Sequence, residues 1–451
     1  MPKRNVYVRT SPADTVPPSL SDALVVSDLA EGSTLSHDIH RITDVVGEPL
    51  PAARDLFTFA GAVYVADKKT PRKSTADAWT RDFEVRMPVA DVERWESARP
   101  ALERSLSFLT GDTWSLRFRR GIRRPVRARK AGASYNAVHL FSGGLDSLIG
   151  AIDALAGDER LLLLGHHDSG LTEPPQKILS SALDDEYENL STFVPVRARG
   201  KTSGLSAFPL PAGSENTTRS RSLVFIAMGL VGASALGANV TLRIPENGLI
   251  ALNVPLVPER SGSCSTRTTH PHFLAQLRQA LDVLGIRNEL DNPYLLLTKG
   301  EMLEHCRNPE LIRKIGYASV SCSRSEQARW DGKKNFPKNC GYCYPCIIRR
   351  AAFHAINEDR FRERTGLERY RIDVCKKPDF VHEPVTGRDL RAVLAAVGAG
   401  PKRLNPLLSG PVPADVTMEQ LSHLHARGIQ ELRDFFEQKG SRGVKSYAGI
   451  A

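Results

Sequence analysis

The segment Phe141-Ser-Gly-Gly-Leu-Asp-Ser-Leu-Ile-Gly restricts the fold of this 451-residue chain more than any other. A short apolar run, Val138-His-Leu-Phe, enters two adjacent glycines, and a helical pattern over Leu145 to Ala156 follows at once. Gly143 and Gly144 allow a sharp turn and a close approach to an anion with no Cβ in the way. A helix starting there presents unpaired N–H groups and its positive dipole end, which suit a phosphate. Ser142 and Ser147 add hydroxyl donors, and Asp146 could cap the helix or help hold a metal ion. The segment lacks the Gly-Lys-Ser/Thr ending of a Walker A loop and has no G-x-G-x-x-G pattern.

Around this turn the pattern alternates between strand and helix. Strands are expected at Leu161-Leu-Leu-Leu, Phe193-Val-Pro-Val and Asn239-Val-Thr-Leu, with helices over Gln176 to Leu190 and from Arg221. That succession implies parallel strands joined by crossover helices, an α/β fold. Residues 1–133 read as a separate N-terminal α+β domain. Its strands are expected at Asn5-Val-Tyr-Val, Ala62-Val-Tyr-Val-Ala, Phe83-Glu-Val-Arg-Met and Trp114-Ser-Leu-Arg-Phe, with a helix near Asp91 to Phe108. Residues 134–350 form the parallel-sheet domain. Residues 351–451 form a mainly helical C-terminal extension, helical and charged through Glu358 to Arg371 and ending in a helix near Met418 to Lys439.

Charge and cysteine usage narrow the setting. The net charge is +10, and Arg117 to Lys130 holds eight basic residues and no acidic one. Such a run can neutralise nucleic-acid phosphates or attract an anionic partner, or it can be a solvated linker. No aromatic platform beyond Phe118 accompanies it, so nucleic acid is a secondary partner expectation. Ser222 to Val240 is long enough for a membrane span, but its Gly, Ala and Ser content reads as a buried helix, and no membrane partner is expected. The start carries no apolar run after its basic residues, so a cytoplasmic, reducing location is expected.

Seven cysteines are present, and four have ligand spacing. Cys340-Gly-Tyr-Cys343-Tyr-Pro-Cys346 sets three thiols at three-residue steps, with Cys322 separated from the first of them by seventeen residues. Four thiolates can close a tetrahedral Zn²⁺ shell with no open position, a structural site. Thiolates also serve redox or sulfur-transfer chemistry, for which Cys264, Cys306 and Cys375 form no second pair in sequence.

The Ser-Gly-Gly-Leu-Asp-Ser loop resembles that of the PP-loop ATP pyrophosphatases (adenine nucleotide alpha hydrolase-like enzymes). With Cys322 about 180 residues after this loop, followed by Cys340-Gly-Tyr-Cys-Tyr-Pro-Cys-Ile-Ile-Arg, the pair of motifs resembles the QueC family of 7-cyano-7-deazaguanine synthases. The longer chain is similar to the QueC-like components of bacterial anti-phage (Qat) systems. Thr298-Lys299-Gly-Glu301-Met and Arg221-Ser222 are similar to family segments ahead of the zinc site and at a helix opening, with Ser in place of Asn in the latter.

The resemblance implies ATP and Mg²⁺ as cofactors beside Zn²⁺. It implies adenylation of a deazaguanine-type carboxylate with release of pyrophosphate, then capture by an amine to give an amide or nitrile. Ser142, Gly143, Gly144, Leu145, Asp146, Ser147 and Arg221 would bind the nucleotide, and Asp146, Ser147 and Lys299 would act in catalysis. Gly165-His-His-Asp-Ser-Gly, Pro245-Glu-Asn-Gly, Asn253-Val-Pro-Leu and Thr266 to Pro271 fall where strands of such a sheet should end. His167, Asp168, Glu246, Asn247, Asn253 and His270 are therefore the substrate-site candidates. In a defence complex the amine could belong to a protein partner. A nucleic-acid sulfur transferase and a non-catalytic ATP-binding scaffold are the alternatives.

Overall fold

The computed structural model describes residues 3–29, 33–121, 134–167, 172–201, 214, 215, 217, 219–256, 267–325, 339–359, 370–401 and 409–451. The chain opens with β1 (Arg4–Arg9), β2 (Leu24–Ser27), β3 (Leu35–His37), α1 (His40–Val46), α2 (Pro51–Lys69), β4 (Asp82–Val89), α3 (Val92–Thr110) and β5 (Thr113–Arg120). Four of these strands pair in the order β2-β1-β4-β5, every neighbour parallel. The first sheet is thus of the α/β kind, where the sequence suggested α+β.

The segment Ala62–Ala66, expected as a strand, lies inside α2. Residues Leu56–Asp67 of α2 are almost all buried, so no polar stripe marks the 3.6-residue period, and the β-branched and aromatic run imitates a strand. The helix signals sit at its ends: Pro51 in the first turn, and Lys68 and Lys69 in the last.

The second sheet follows with β6 (Ala137–Leu140), α4 (Leu145–Leu155), β7 (Leu161–His167), α5 (Glu173–Glu186), β8 (Ser191–Gly200), α6 (Arg221–Leu236), β9 (Thr241–Arg243), α7 (Gly248–Leu252), α8 (Pro271–Leu284) and β10 (Leu290–Asp291). Its order is β10-β9-β6-β7-β8-β3. All pairs are parallel except β3, which runs antiparallel to β8 with Leu35 opposite Gly200. An N-terminal strand therefore completes the central sheet. Helix α2 also packs on α6 and on strands of both sheets, so residues 3–121 and the central sheet share one continuous apolar core.

Helix α6 is the Gly/Ala/Ser-rich segment considered as a span, and apart from the partly buried Phe225 it is buried from Leu223 to Ala233. Among the described residues no helix is long and apolar enough to cross a membrane.

The remainder is helical: α9 (Lys299–Glu304), α10 (Pro309–Ile315), α11 (Tyr344–Ala355), α12 (Arg388–Ala399), α13 (Met418–Lys439) and α14 (Arg442–Ala448). Helices α11 to α14 bury a second core around Ile347, Leu390, Leu432 and Phe436, which includes Cys340, Cys343 and Cys346. The helical reading up to Arg371 holds as far as Ala355, and residues 360–369 lie outside the described set.

From β6 the chain moves outward through β7 and β8, then returns to place β9 on the other side of β6. Val138 pairs with both Leu162 and Leu242. The crevice beyond the carboxyl ends of β6 and β9 is thus a topological switch point, the place where open α/β sheets bind ligands.

Candidate functional site

The Ser142-Gly-Gly turn leaves β6 at this crevice. Gly143 has φ +79°, which strains any side chain, and a Cβ there would also crowd Gln176 Cγ and the Gln176 backbone nitrogen. Gly144 is the N-cap of α4 and supplies no side-chain cap. The loop holds its own shape. Ser142 Oγ accepts the Gly144 N–H at 3.2 Å and meets Ser147 Oγ at 3.1 Å, and Ser147 Oγ donates to the Gly144 carbonyl at 3.0 Å.

Two elements brace it from outside. Gln176, at the start of α5, donates to the Ser142 carbonyl at 3.3 Å and the His166 carbonyl at 3.2 Å. The stretch before the cysteine cluster does the rest: Val320 N–H donates to the Gly143 carbonyl at 2.8 Å, and Ser321 Oγ accepts the Leu145 N–H at 3.2 Å. From below, His139 Nε2 lies 2.9 Å from the Ser147 carbonyl. Burial pulls the His139 imidazole down to about 4 against that bond, so it is neutral at neutral pH.

Asp146 points into the switch-point crevice and is almost fully buried. Its Oδ1 is 2.7 Å from Lys299 Nζ, at the first position of α9, and Lys299 is 3% exposed. Its Oδ2 accepts from Asn247 Nδ2 at 2.7 Å and from the Asn247 N–H at 3.1 Å. Asn247 Oδ1 meanwhile caps α7 by accepting the Ile250 N–H at 3.1 Å, which fixes which end of the amide faces Asp146. Burial acts to raise the Asp146 carboxyl. Lys299, with hydrogen bonds from Glu246 and Asn247, outweighs it and holds the group below its ordinary value. For Glu246, burial and the adjacent Asp146 act together and push the carboxyl well above its ordinary range. The pair therefore divides its protons, Asp146 ionised and Glu246 protonated, as two close carboxyls must.

The structure thus brings Ser142, Gly143, Gly144, Leu145, Asp146, Ser147, Lys299, Glu246 and Asn247 into one place. Other candidates stand elsewhere in the fold. Arg221 opens α6. His167 ends β7 with Nε2 3.9 Å from Glu173 Oε2, and Asp168 lies outside the described residues. Asn253 ends α7 in the left-handed region, φ 46°. His270 caps α8: its Nδ1 accepts the His272 N–H at 3.1 Å and its Nε2 is 3.2 Å from Ser409 Oγ, while its ring packs on Phe108. Both ring nitrogens are engaged within the fold.

The four cysteines converge. The Sγ atoms of Cys322, Cys340, Cys343 and Cys346 all lie within 4.8 Å of one another, with Cys322–Cys343 and Cys340–Cys346 at 3.9 Å. Zn–S bonds of about 2.3 Å in a tetrahedron put sulfurs about 3.8 Å apart, so the set fits a metal ion such as zinc and no disulfide. Backbone N–H groups of Arg324 and Cys340 donate to Cys322 Sγ, and that of Cys343 to Cys340 Sγ, each at 3.3 Å, which favours thiolates. Gly341 has φ +86°, and a Cβ there would collide with the Ile372 carbonyl. Arg349, buried in α11, donates to Ser319 Oγ, the Gly316 carbonyl and Tyr370 Oη, tying the cluster to residues 316–319, which lead to the loop. Arg350 pairs with Asp359 and Asp373.

Of the basic run, Arg117 to Arg120 belong to β5, and residues 122–130 lie outside the described set, as does Cys264. Sequence reasoning missed Gln176, Ser321 and His139. Only Ser321, beside a cysteine ligand, carried any signal. The chain matches no protein-family model, no curated protein and no solved structure.

Proposed function

We propose that this chain is an ATP-dependent ligase of the PP-loop type that adenylates a carboxylate, as 7-cyano-7-deazaguanine synthases do. One observation carries the reading: the glycine turn after β6 delivers Asp146 into a buried ion pair with Lys299 at the switch point, beside Glu246 and Asn247. A glycine turn opening a helix, a buried cation and a pair of carboxyl groups are parts that splitting a nucleotide can use.

In this reading Gly143, Gly144 and the first turn of α4 bind the pyrophosphate portion of ATP, with the Ser142 and Ser147 hydroxyls alongside. Lys299 places positive charge where the departing pyrophosphate gains negative charge. A substrate carboxylate oxygen attacks the α phosphorus, and the bond to the bridging oxygen breaks with its electron pair going to pyrophosphate. An amine then attacks the acyl carbon, AMP leaves and the nitrogen gives up a proton, forming an amide that a second ATP could convert to a nitrile. Asp146, already ionised, and Glu246, on giving up its proton, would be the oxygen donors for Mg²⁺, which when bound would neutralise phosphate charge. The cysteine cluster holds structural zinc and takes no part in the bond changes.

The substrate class is a 7-carboxy-7-deazaguanine-like acid, and in a defence complex the amine acceptor belongs to a small molecule or a protein partner. Sulfur transfer is less favoured: among the described residues, Cys306 and Cys375 are buried, and burial pushes both thiols up to about 12. The test is incubation with Mg-ATP and a panel of carboxylates, with AMP followed by mass spectrometry. AMP formed with one acid supports the reading. ADP, or no turnover with any acid and amine, contradicts it.

A further inference from the structure

The C-terminal extension reaches the proposed site through one carboxylate. Helix α13 lies across the start of α9, and Glu431 presents Oε2 to it. That single oxygen accepts from Thr298 Oγ1 at 2.7 Å and from the Gly300 N–H at 3.0 Å. Thr298 and Gly300 are the residues on either side of Lys299. A Cβ at Gly300 would collide with Glu431 Oε2, so glycine is what admits the carboxylate. One turn earlier on α13, Arg427 grips the same segment through Glu301 Oε1 at 2.6 Å and the Leu296 carbonyl at 2.7 Å. Thr298 and Glu301 meanwhile close a capping box around the N-terminus of α9.

A lysine stem has four rotatable carbons, so its ammonium is placed only as well as its backbone is held. Here the Thr298 hydroxyl on one side of Lys299 and the Gly300 backbone N–H on the other are held by one oxygen from a helix about 130 residues later in the chain.

We infer that Glu431 is a positioning residue for Lys299, so that the C-terminal helix sets whether the Lys299 ammonium meets Asp146. The geometry stands by itself; only its consequence for nucleotide binding rests on the function proposed above. Docking of α13 completes the site, and a chain in which α13 is displaced keeps its glycine turn but loses a correctly placed cation.

The test has two independent readouts on the full chain. The first is reductive methylation with formaldehyde and cyanoborohydride, quantified at Lys299 by mass spectrometry with the buried Lys69 as internal control. Glu431→Ala is expected to raise Lys299 labelling at least about fivefold with Lys69 unchanged. Glu431→Gln, whose amide oxygen can accept both bonds, restores protection. Arg427→Ala, which leaves Thr298 and Gly300 untouched, gives the smaller change. The second readout is Mg-ATP affinity by calorimetry. Glu431→Ala is expected to weaken it about fivefold or more, Glu431→Gln to recover it, and Lys299→Ala to abolish any further effect of Glu431→Ala. Lys299 labelling that stays at the parental level, or that rises only in step with Lys69, overturns the inference. A parent protein that binds no Mg-ATP sinks the proposed function, and the labelling result then decides the positioning role alone.

Discussion

The Leu145 N–H, at the first position of α4, is bonded to Ser321 Oγ at 3.2 Å, and Ser321 is the residue before Cys322 of the cysteine cluster. With Val320 on the Gly143 carbonyl, this contact makes the cluster a brace for the glycine turn. A metal held in that cluster would act on the loop through Ser321 and Val320, one and two residues before Cys322.

Ser321→Ala removes the acceptor for a backbone donor at the turn. Unfolding free energy should fall by about 1–2 kcal/mol, read from a urea midpoint, and amide exchange at Leu145 should accelerate while zinc content stays at about one per chain.

Chelation should strip one zinc per chain and lower Tm, with amide protection lost first over 143–145 and 319–322. Cys343→Ser should reproduce this at lower zinc content. Loss of zinc with the glycine turn as protected as before would separate the two sites.

Glu431 gives a pH signature. Burial first, and Glu301 next to it, raise its carboxyl to about 7 against the hydrogen bonds from Thr298 and Gly300 and the charge of Lys299. Unfolded, a glutamate titrates near about 4.3. Between those values the native chain binds the extra proton, so this group's contribution to stability is present below the unfolded value and declines as pH rises through about 7. Glu431→Gln should therefore gain on the parent from about pH 5 to pH 8 in urea midpoint. A parallel pair of curves would contradict the assignment.

The Asp146–Glu246 pair makes the opposite use of charge. Asp146 is held below its ordinary value, so its contribution is present above the unfolded carboxyl range near about 3.9 and is lost as pH falls through its folded value. Glu246→Gln mimics the protonated partner and should keep or raise stability at neutral pH. Lys299→Ala strands a buried carboxylate and should cost about 3–5 kcal/mol.

Legibility followed contact range. The glycine turn between strand and helix, the four-cysteine spacing and the bounds of α13 were readable because local chemistry writes them: glycines, ligand steps and the Thr417–Gln420 capping box. Helix α2 was misread because complete burial erases helical contrast. The three-residue strand β3 was missed because its pairing partner lies in β8, far along the chain. At the site, Asp146 and Lys299 could be named, but Asn247 as the residue that orients Asp146, Ser321 and Glu431 act across 101, 176 and 133 positions. No single-sequence pattern encodes pairings of that separation.

Exchange of labelled pyrophosphate into ATP tests the central claim most directly, because it reads reversal at the α phosphorus alone. With Mg-ATP and the cognate carboxylate the parent chain should catalyse exchange, and the double variant Asp146→Ala with Ser147→Ala should lose it by about a hundredfold or more while keeping its zinc and its fold by circular dichroism. Full exchange in that variant, or label returning only as orthophosphate, would contradict an account in which this glycine turn grips the departing pyrophosphate.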